Sequence, residues 1–302
     1  MPATRTAGGF VTDARARVAA AALTLAVGCG PGDGDSGLQG PWLVATEDLG
    51  APRAQGASMD LTGADAWWAL AQGVPFLIYD NPGSDVPFTA WDLAISERVS
   101  DVGTCPDLLT EGTSTVWRTY DCRSSQGYEL SGEAQKTEWE DAQGWRYDRW
   151  DFDLQIRADV DDPRFDTLDL DGSLLYVIGD GEALDRAVQV NLRTGLEGYW
   201  SRINATEPRE ALWTDWTLTA RYEQTPDEVV RAEGVLDVGT LGAVGFATDA
   251  LDRAAACTTA PDGTVAVTGA QSGTLVFNGR TACSTCAERT LDGEATDDLC
   301  RN

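Results

Sequence analysis

Residues 150–156, Trp-Asp-Phe-Asp-Leu-Gln-Ile, alternate strictly between apolar and polar side chains, and this stretch decides the fold class. Side chains on a β-strand point to opposite faces at successive residues. The four apolar residues therefore share one face, while Asp151, Asp153 and Gln155 share the other. Such alternation is typical of an antiparallel strand with one buried and one solvated face.

The same period of two recurs along the chain. It covers residues 116–122, 188–192 and 212–222, and two further short strands are predicted at 265–268 and 274–277. Residue pairs ending in glycine predict hairpin turns between these strands, at positions 143–144, 171–172, 194–195, 233–234, 262–263 and 278–279. Similar four-residue motifs ending in a small turn occur at 130–133, 170–173, 232–235, 267–270 and 291–294.

These patterns predict an all-β fold. We expect an antiparallel meander of long strands that forms either a sandwich or a curved, partly closed sheet. One short N-terminal helix is predicted at Thr62–Gln72, where Thr62 can cap the helix and Gly73 can end it. We expect an antiparallel β domain at residues 41–256, and a disulfide-stapled extension of the same domain at 257–302.

The N-terminus has the three parts of a secretory signal. Three arginines at positions 5, 15 and 17 precede the apolar run Val18–Val27, which is too short to span a bilayer. The run ends in Ala26-Val27-Gly28-Cys29, which resembles the lipobox of bacterial lipoproteins, with Ala26 at the position where leucine is usual. The resemblance implies that residues 1–28 are removed and that Cys29 becomes a diacylated N-terminus. The alternative is an ordinary soluble secretory signal with an incidental cysteine.

Residues 29–40 are expected to be the lipidated cysteine and a flexible tether. Gly30–Gly40 reads GPGDGDSGLQG and has too little apolar area to form a core. Gly30, rather than aspartate, follows the cysteine, and in lipoproteins this implies the outer membrane rather than the inner one. The expected partner is thus a membrane, to which the chain is anchored through the lipid at Cys29.

The charge of the chain excludes one class of partner. The net charge is −27 at pH 7, and residues 1–28 contribute a net +2, which leaves −29 on the mature chain. Binding to nucleic acid requires clustered Lys and Arg to neutralise phosphates. We therefore expect no nucleic-acid partner, whereas an envelope protein or glycan partner stays open.

Once Cys29 is assigned to the lipid, six cysteines remain. An even number in an exported chain favours disulfides. Cys105 and Cys122 are expected to pair with each other, and two pairings of the other four leave no crossed loops: 257–283 with 286–300, or 257–300 with 283–286. A four-thiolate zinc site and a redox Cys-X-X-Cys pair are the alternatives at Cys283 and Cys286.

An acidic cluster is the candidate for a metal. Calcium takes six to eight oxygen ligands, which dense aspartate loops can supply. The alternative is a solvated hairpin loop, and the helix-loop-helix calcium pattern does not fit this stretch. The cluster consists of Asp159, Asp161, Asp162, Asp166, Asp169 and Asp171.

Three aromatic residues near one turn are candidates for binding. Trp139, Trp145 and Tyr147 lie on the face opposite to Trp150 and could stack against sugars, or they could shield the sheet.

The chain contains no histidine, which removes Ser-His-Asp and Cys-His nucleophiles and histidine-ligated metals. No catalytic residue is nominated and no cofactor is expected, apart from the possible calcium. We expect a non-enzymatic structural or interaction role at the envelope; the alternatives are a carbohydrate- or peptidoglycan-binding module and a carboxylate-dependent hydrolase.

Overall fold

The computed structural model describes residues 42–63, 107–119, 122–123, 127–158, 167–197, 215–225, 229–252, 262–278, 286–296 and 298–300. Strand accounts for 68% of this part and helix for 1%, which confirms the all-β class. The predicted helix lies outside the described residues, apart from Thr62 and Gly63.

The alternating stretches form fifteen strands, several of them longer than the usual five or six residues. They are β1 (Asp107–Glu111), β2 (Ser114–Arg118), β3 (Cys122–Arg123), β4 (Tyr128–Glu140), β5 (Arg146–Ala158), β6 (Thr167–Ile178), β7 (Arg186–Glu197), β8 (Asp215–Gln224), β9 (Val229–Val238), β10 (Gly242–Asp252), β11 (Asp262–Thr268), β12 (Ser272–Asn278), β13 (Cys286–Leu291), β14 (Glu294–Ala295) and β15 (Leu299–Cys300). A 3₁₀ turn, Gly239–Leu241, joins β9 to β10.

Strands β4 to β14 each pair with their neighbours in the chain, so the sheet is one antiparallel meander. The hydrogen-bonded order is β1-β2-β4-β5-β6-β7-β8-β9-β10-β11-β12-β13-β14, while β3 pairs with β4 and β15 pairs with β13. Within the described residues, the sheet is not closed into a barrel. This meander is consistent with the predicted curved sheet. Strands β11 to β15 extend the same sheet rather than starting another.

One face of the sheet carries the main core. The even-numbered residues of β5 lie on this face, as their alternation predicts, and the side chains of Leu154 and Ile156 are buried. Burying each such side chain contributes about 1.5–3 kcal/mol. The cluster is continuous across the sheet and includes Leu130, Leu154, Leu170, Val190, Leu218, Leu236, Phe246, Val265 and Leu275.

Only some of the turns predicted from residue pairs ending in glycine are observed. The turn at 143–144 joins β4 to β5, and residues 269–271 and 292–293 also form turns. The turns predicted at 171–172, 194–195 and 233–234 are wrong, because these residues lie inside β6, β7 and β9. Positions 262–263 likewise begin β11, and Gly132 lies inside β4.

Two of these internal glycines show why the residue is needed within a strand. Gly132 and Gly172 have φ angles of +105° and +132°, which side-chain-bearing residues rarely adopt. A Cβ on Gly172 would lie 2.2 Å from the backbone O of Asn191 on the neighbouring strand. Glycine inside a long strand permits bending and close backbone approach. The sequence alone does not distinguish a glycine that bends a strand from a glycine in a hairpin turn.

No helix within the described ranges is both long and apolar enough to cross a membrane.

We expect Gly172→Ala to lower the free energy of unfolding by about 3 kcal/mol or more, since it combines an unfavourable φ with a backbone clash. Gly144→Ala is the matched control. Gly144 also has a positive φ, +86°, but no heavy atom lies within 4 Å of its added Cβ. Gly144→Ala should lower the free energy of unfolding by about 1 kcal/mol, because it imposes the unfavourable φ without the backbone clash. Urea denaturation would measure both, and equal losses would contradict the close approach at Gly172.

Candidate functional site

The second face of the sheet is covered by the segment Trp42–Thr62, which we call the strap. The strap has no helix or strand, and its contacts reach β5, β6, β7, β8 and β10 and the β11–β12 turn. The backbone groups of the sheet are already paired with one another in the ladder. The backbone of the strap must therefore find its hydrogen bonds mainly on side chains. This constraint explains why the second face carries buried amides and a buried carboxylate.

Asn191 of β7 is the most highly connected of these side chains. Its Nδ2 donates to the carbonyl oxygens of Leu49 and Ala51, each at 2.9 Å. Its Oδ1 accepts from the backbone N–H of Arg53 at 2.9 Å and from the hydroxyl of Thr219 at 3.0 Å. These four bonds use the two donors and two acceptor positions of a side-chain amide. The residue is buried and only 4% exposed.

Two further buried side chains hold the first part of the strap. Gln189 accepts from the N–H of Glu47 at 3.1 Å and donates to the carbonyl of Ala45 at 3.1 Å. The carboxylate of Glu223, 3% exposed, accepts from the N–H of Val44 at 2.6 Å. A hydrogen bond to a charged group is worth about 1.5–3 kcal/mol, more than one between neutral groups. The strap is therefore held at several successive backbone positions.

The strap begins between two arginines of the sheet. The guanidinium carbon of Arg221 lies 3.9 Å from the ring centroid of Trp42, and that of Arg231 lies 4.5 Å from it. Arg221 also donates to the hydroxyl of Thr46 at 3.1 Å and forms an ion pair with Glu233 at 2.6 Å. Cation–π contacts of this kind contribute about 0.5–2 kcal/mol each.

The far end of the strap enters the main core. The N–H groups of Ser58 and Met59 donate to the carbonyl of Ala243, and Met59 accepts in turn from Ala270. The side chains of Met59 and Leu61 are fully buried in the main core cluster. A Cβ on Gly269 would lie 2.3 Å from the carbonyl oxygen of Met59, so the β11–β12 turn makes room for this end of the strap.

Arg53 connects the strap to one of the predicted calcium ligands. Its two terminal nitrogens bind the carboxylate of Asp171 at 2.6 and 2.8 Å. Asp169 accepts from Gln155 at 2.7 Å. The other four aspartates of the cluster, 159, 161, 162 and 166, lie outside the described residues. Within the described ranges, no three His, Cys, Asp or Glu residues are grouped to hold a metal ion. Calcium binding stays a prediction, and Asp171 already has a cationic partner.

The three aromatic residues proposed for binding lie together at the β4–β5 turn. The rings of Trp139 and Tyr147 stack, with centroids 5.0 Å apart and planes 12° from parallel. Tyr147 is 7% exposed, and both tryptophans are half-buried against a second apolar cluster that includes Val44 of the strap. The structure brings the predicted residues together, on the face opposite to the main core. Sugar binding by them stays a prediction, and Tyr147 contributes to packing.

The hydroxyl of Tyr147 is paired with a carboxylate. It donates to Oδ2 of Asp141 at 2.9 Å. Burial, this hydrogen bond and the nearby charges of Asp141 and Glu47 raise the pKa of Tyr147 to about 12. Burial opposes ionisation of Asp141, but the bonds from Tyr147 and from the N–H groups of Trp145 and Gln143 lower the pKa of that carboxyl overall. The β4–β5 turn thus contains a hydrogen-bonded network centred on Asp141, next to the stacked rings of Trp139 and Tyr147.

The cysteines fall into two groups by location. Cys122 lies in β3, Cys286 opens β13 and Cys300 ends β15. Cys29, Cys105, Cys257 and Cys283 lie outside the described residues, as does the predicted signal segment.

No protein-family model matches this chain, and comparisons with curated proteins and with solved structures find no match either.

The strap is the feature that sequence reasoning missed. Its residues have no period of two or 3.6, and the polar side chains that bind it look like solvent-facing positions of a half-buried sheet. The only available signal is the type of residue at these positions. Uncharged Gln189, Asn191 and Thr219 lie at the centres of long strands, on a face otherwise rich in acids and arginines.

Asn191→Ala should lower the free energy of unfolding by about 2–4 kcal/mol, because it removes the donor to the carbonyls of Leu49 and Ala51. It also leaves the N–H of Arg53 with the hydroxyl of Thr219 as its remaining acceptor. It should also speed hydrogen exchange at the N–H of Arg53. Gln155→Ala is the control, since it removes one exposed hydrogen bond to Asp169 and should cost less than about 0.5 kcal/mol. Equal effects of the two substitutions would contradict the role of Asn191 in holding the strap.

Tyr147 should make stability fall at alkaline pH. Its pKa is about 12 in the folded chain against an ordinary value of 10.0, so the folded state keeps the proton more tightly than the unfolded state. This contribution is fully present below pH 10 and is lost as the pH rises towards 12. The difference in unfolding free energy between wild type and Tyr147→Phe should therefore shrink from pH 9 to pH 11. A constant difference would contradict the buried phenol–carboxylate pair.

Proposed function

We propose that this chain is an exported lipoprotein, anchored in a membrane through Cys29, with a non-enzymatic structural or interaction role in the cell envelope. The signal segment, the Ala26–Cys29 sequence and the Gly30–Gly40 tether support the anchor. Gly30 after the cysteine supports the outer membrane as its location.

One structural observation carries the proposal. The strap starts at Trp42, directly after the tether, and is fixed across the middle strands of the sheet by buried side chains such as Asn191 and Glu223. The dozen residues between Cys29 and Trp42 span at most ~45 Å when fully extended. A lipid at Cys29 would therefore keep the strap and the sheet tethered to the membrane. A display or scaffolding role fits this arrangement.

Disulfides belong to the same proposal. An exported chain meets an oxidising compartment, and its six remaining cysteines are an even number. We propose that they are oxidised in pairs, with Cys105 and Cys122 forming one pair. These bonds would close the sheet's ends covalently, near β1 and near β13 to β15.

The anchor is tested by labelling and fractionation. Cells that express the full chain would be fed an alkyne fatty acid, and membranes would be separated from soluble material. Wild type should carry the label and sediment with membranes, since a diacylated cysteine binds a bilayer stably. Cys29→Ala should lose the label and become soluble. An unmodified mature N-terminus, or a Cys29→Ala variant that stays in the membrane fraction, would contradict lipidation.

Gly30→Asp provides the matched control for location. It leaves Cys29 and the folded body unchanged and should move the labelled protein from the outer to the inner membrane fraction. The non-enzymatic role is tested separately, with the purified protein and a panel of glycoside and peptidoglycan substrates. Turnover above background would contradict it and favour a carboxylate-dependent hydrolase.

A further inference from the structure

The pairing of strands at the C-terminal end of the sheet bears on the disulfides. β13 and β15 run antiparallel, with Cys286 directly opposite Cys300 and Ala287 opposite Leu299. Sequence spacing alone leaves two uncrossed pairings of the last four cysteines. The register of the two strands distinguishes them, because only one pairing joins Cys286 to Cys300.

The spacing of opposite residues in a sheet suits a disulfide. Directly opposed residues of an antiparallel pair have Cα atoms about 4.5–5.5 Å apart. Disulfide-bonded cysteines have Cα atoms about 4.4–6.8 Å apart. Two cysteines at one register position therefore need no backbone movement to be bridged.

We propose that Cys286 and Cys300 form a disulfide between β13 and β15, which leaves Cys257 and Cys283 as the second pair. The inference rests on the proposed export, which supplies the oxidant: a disulfide-bonded thiol oxidoreductase or small disulfide. Exchange converts the two thiols of the chain into one disulfide, and the oxidant's disulfide takes up two electrons and two protons to become two thiols. Atoms and electrons balance in this step.

The second pair has independent support from chain spacing. Cys257 precedes the first residue of β11 by five positions, and Cys283 follows the last residue of β12 by five. Those two end residues, Asp262 and Asn278, are themselves opposite each other. Both cysteines lie outside the described residues, so this point rests on their positions in the sequence.

The pairing has a consequence for the end of the sheet. The loop from Cys286 to Cys300 contains β14, the last strand in the hydrogen-bonded order. Edge strands present unpaired backbone groups that can recruit other chains. A disulfide across β13 and β15 closes this short terminal region covalently and fixes the C-terminus to the sheet.

A non-reducing peptide map tests the pairing on the full chain purified from membranes in detergent, with free thiols blocked first. Trypsin cuts after Arg280, Arg289 and Arg301, and places Cys283 and Cys286 in one peptide, residues 281–289. Electron-transfer fragmentation between Ser284 and Thr285 separates the two cysteines. We expect the half of peptide 281–289 that holds Cys286 to carry peptide 290–301. A Cys283–Cys286 bond, or Cys300 joined to Cys257 or Cys283, would overturn the proposal.

Paired substitutions provide a second test that counts free thiols by maleimide mass shift. Cys286→Ser with Cys300→Ser should add no free thiol relative to wild type, because it removes one complete pair. Cys283→Ser with Cys300→Ser, the matched control, breaks both pairs and should add two. Two added thiols in the first variant would overturn the pairing. If wild type instead shows all six body cysteines free, the proposed export fails, whereas oxidised cysteines in another pattern overturn the pairing alone.

Discussion

Each backbone group that the strap buries against the sheet needs a hydrogen-bond partner. A segment that crosses the face of a sheet does not join the ladder, so most of the strap's backbone hydrogen bonds are made with side chains, apart from those with the backbone of Ala243 and Ala270. Asn191, Gln189 and Glu223 meet this need and are buried by the segment they hold. The second face carries these buried polar side chains for this reason, beside the second apolar cluster, whereas the main core lies on the first face.

The same segment links the two faces. Val44 and Leu49 of the strap pack in the second apolar cluster, while Met59 and Leu61 are buried in the main core. A one-layer open sheet cannot bury both of its faces alone, and stable domains place at least two layers around a core. The strap supplies part of that missing layer on one face and contributes to the core on the other. Its loss would therefore affect both clusters.

Much of the fold follows from the sequence because strict alternation depends on local geometry. The faces of β5 are set by residues 150–156 alone, and the antiparallel pairing agrees with this one-sided alternation. Turns were wrongly predicted at the internal glycines because a hairpin turn and a bent strand need the same freedom of φ. Only the position of the neighbouring backbone distinguishes the two. The strap escaped prediction because its partners are 101 to 211 positions away in sequence. The three predicted aromatic residues lie together at the β4–β5 turn, but Tyr147 is buried in a cluster that includes strap residues, which no local pattern connects to it.

Because the strap and its partners are far apart in sequence, the strap can dock only late in the synthesis of the chain. The meander pairs neighbours, so its hairpins can form one after another as the chain emerges. The strap is made before the strands that hold it, and its far end docks last, because the N–H of Leu61 donates to Gln271, which is 210 residues later. The strap is thus completely docked only when nearly all of the sheet exists. The chain therefore remains incompletely folded while it is being made, the state in which a polypeptide can be threaded through a membrane pore.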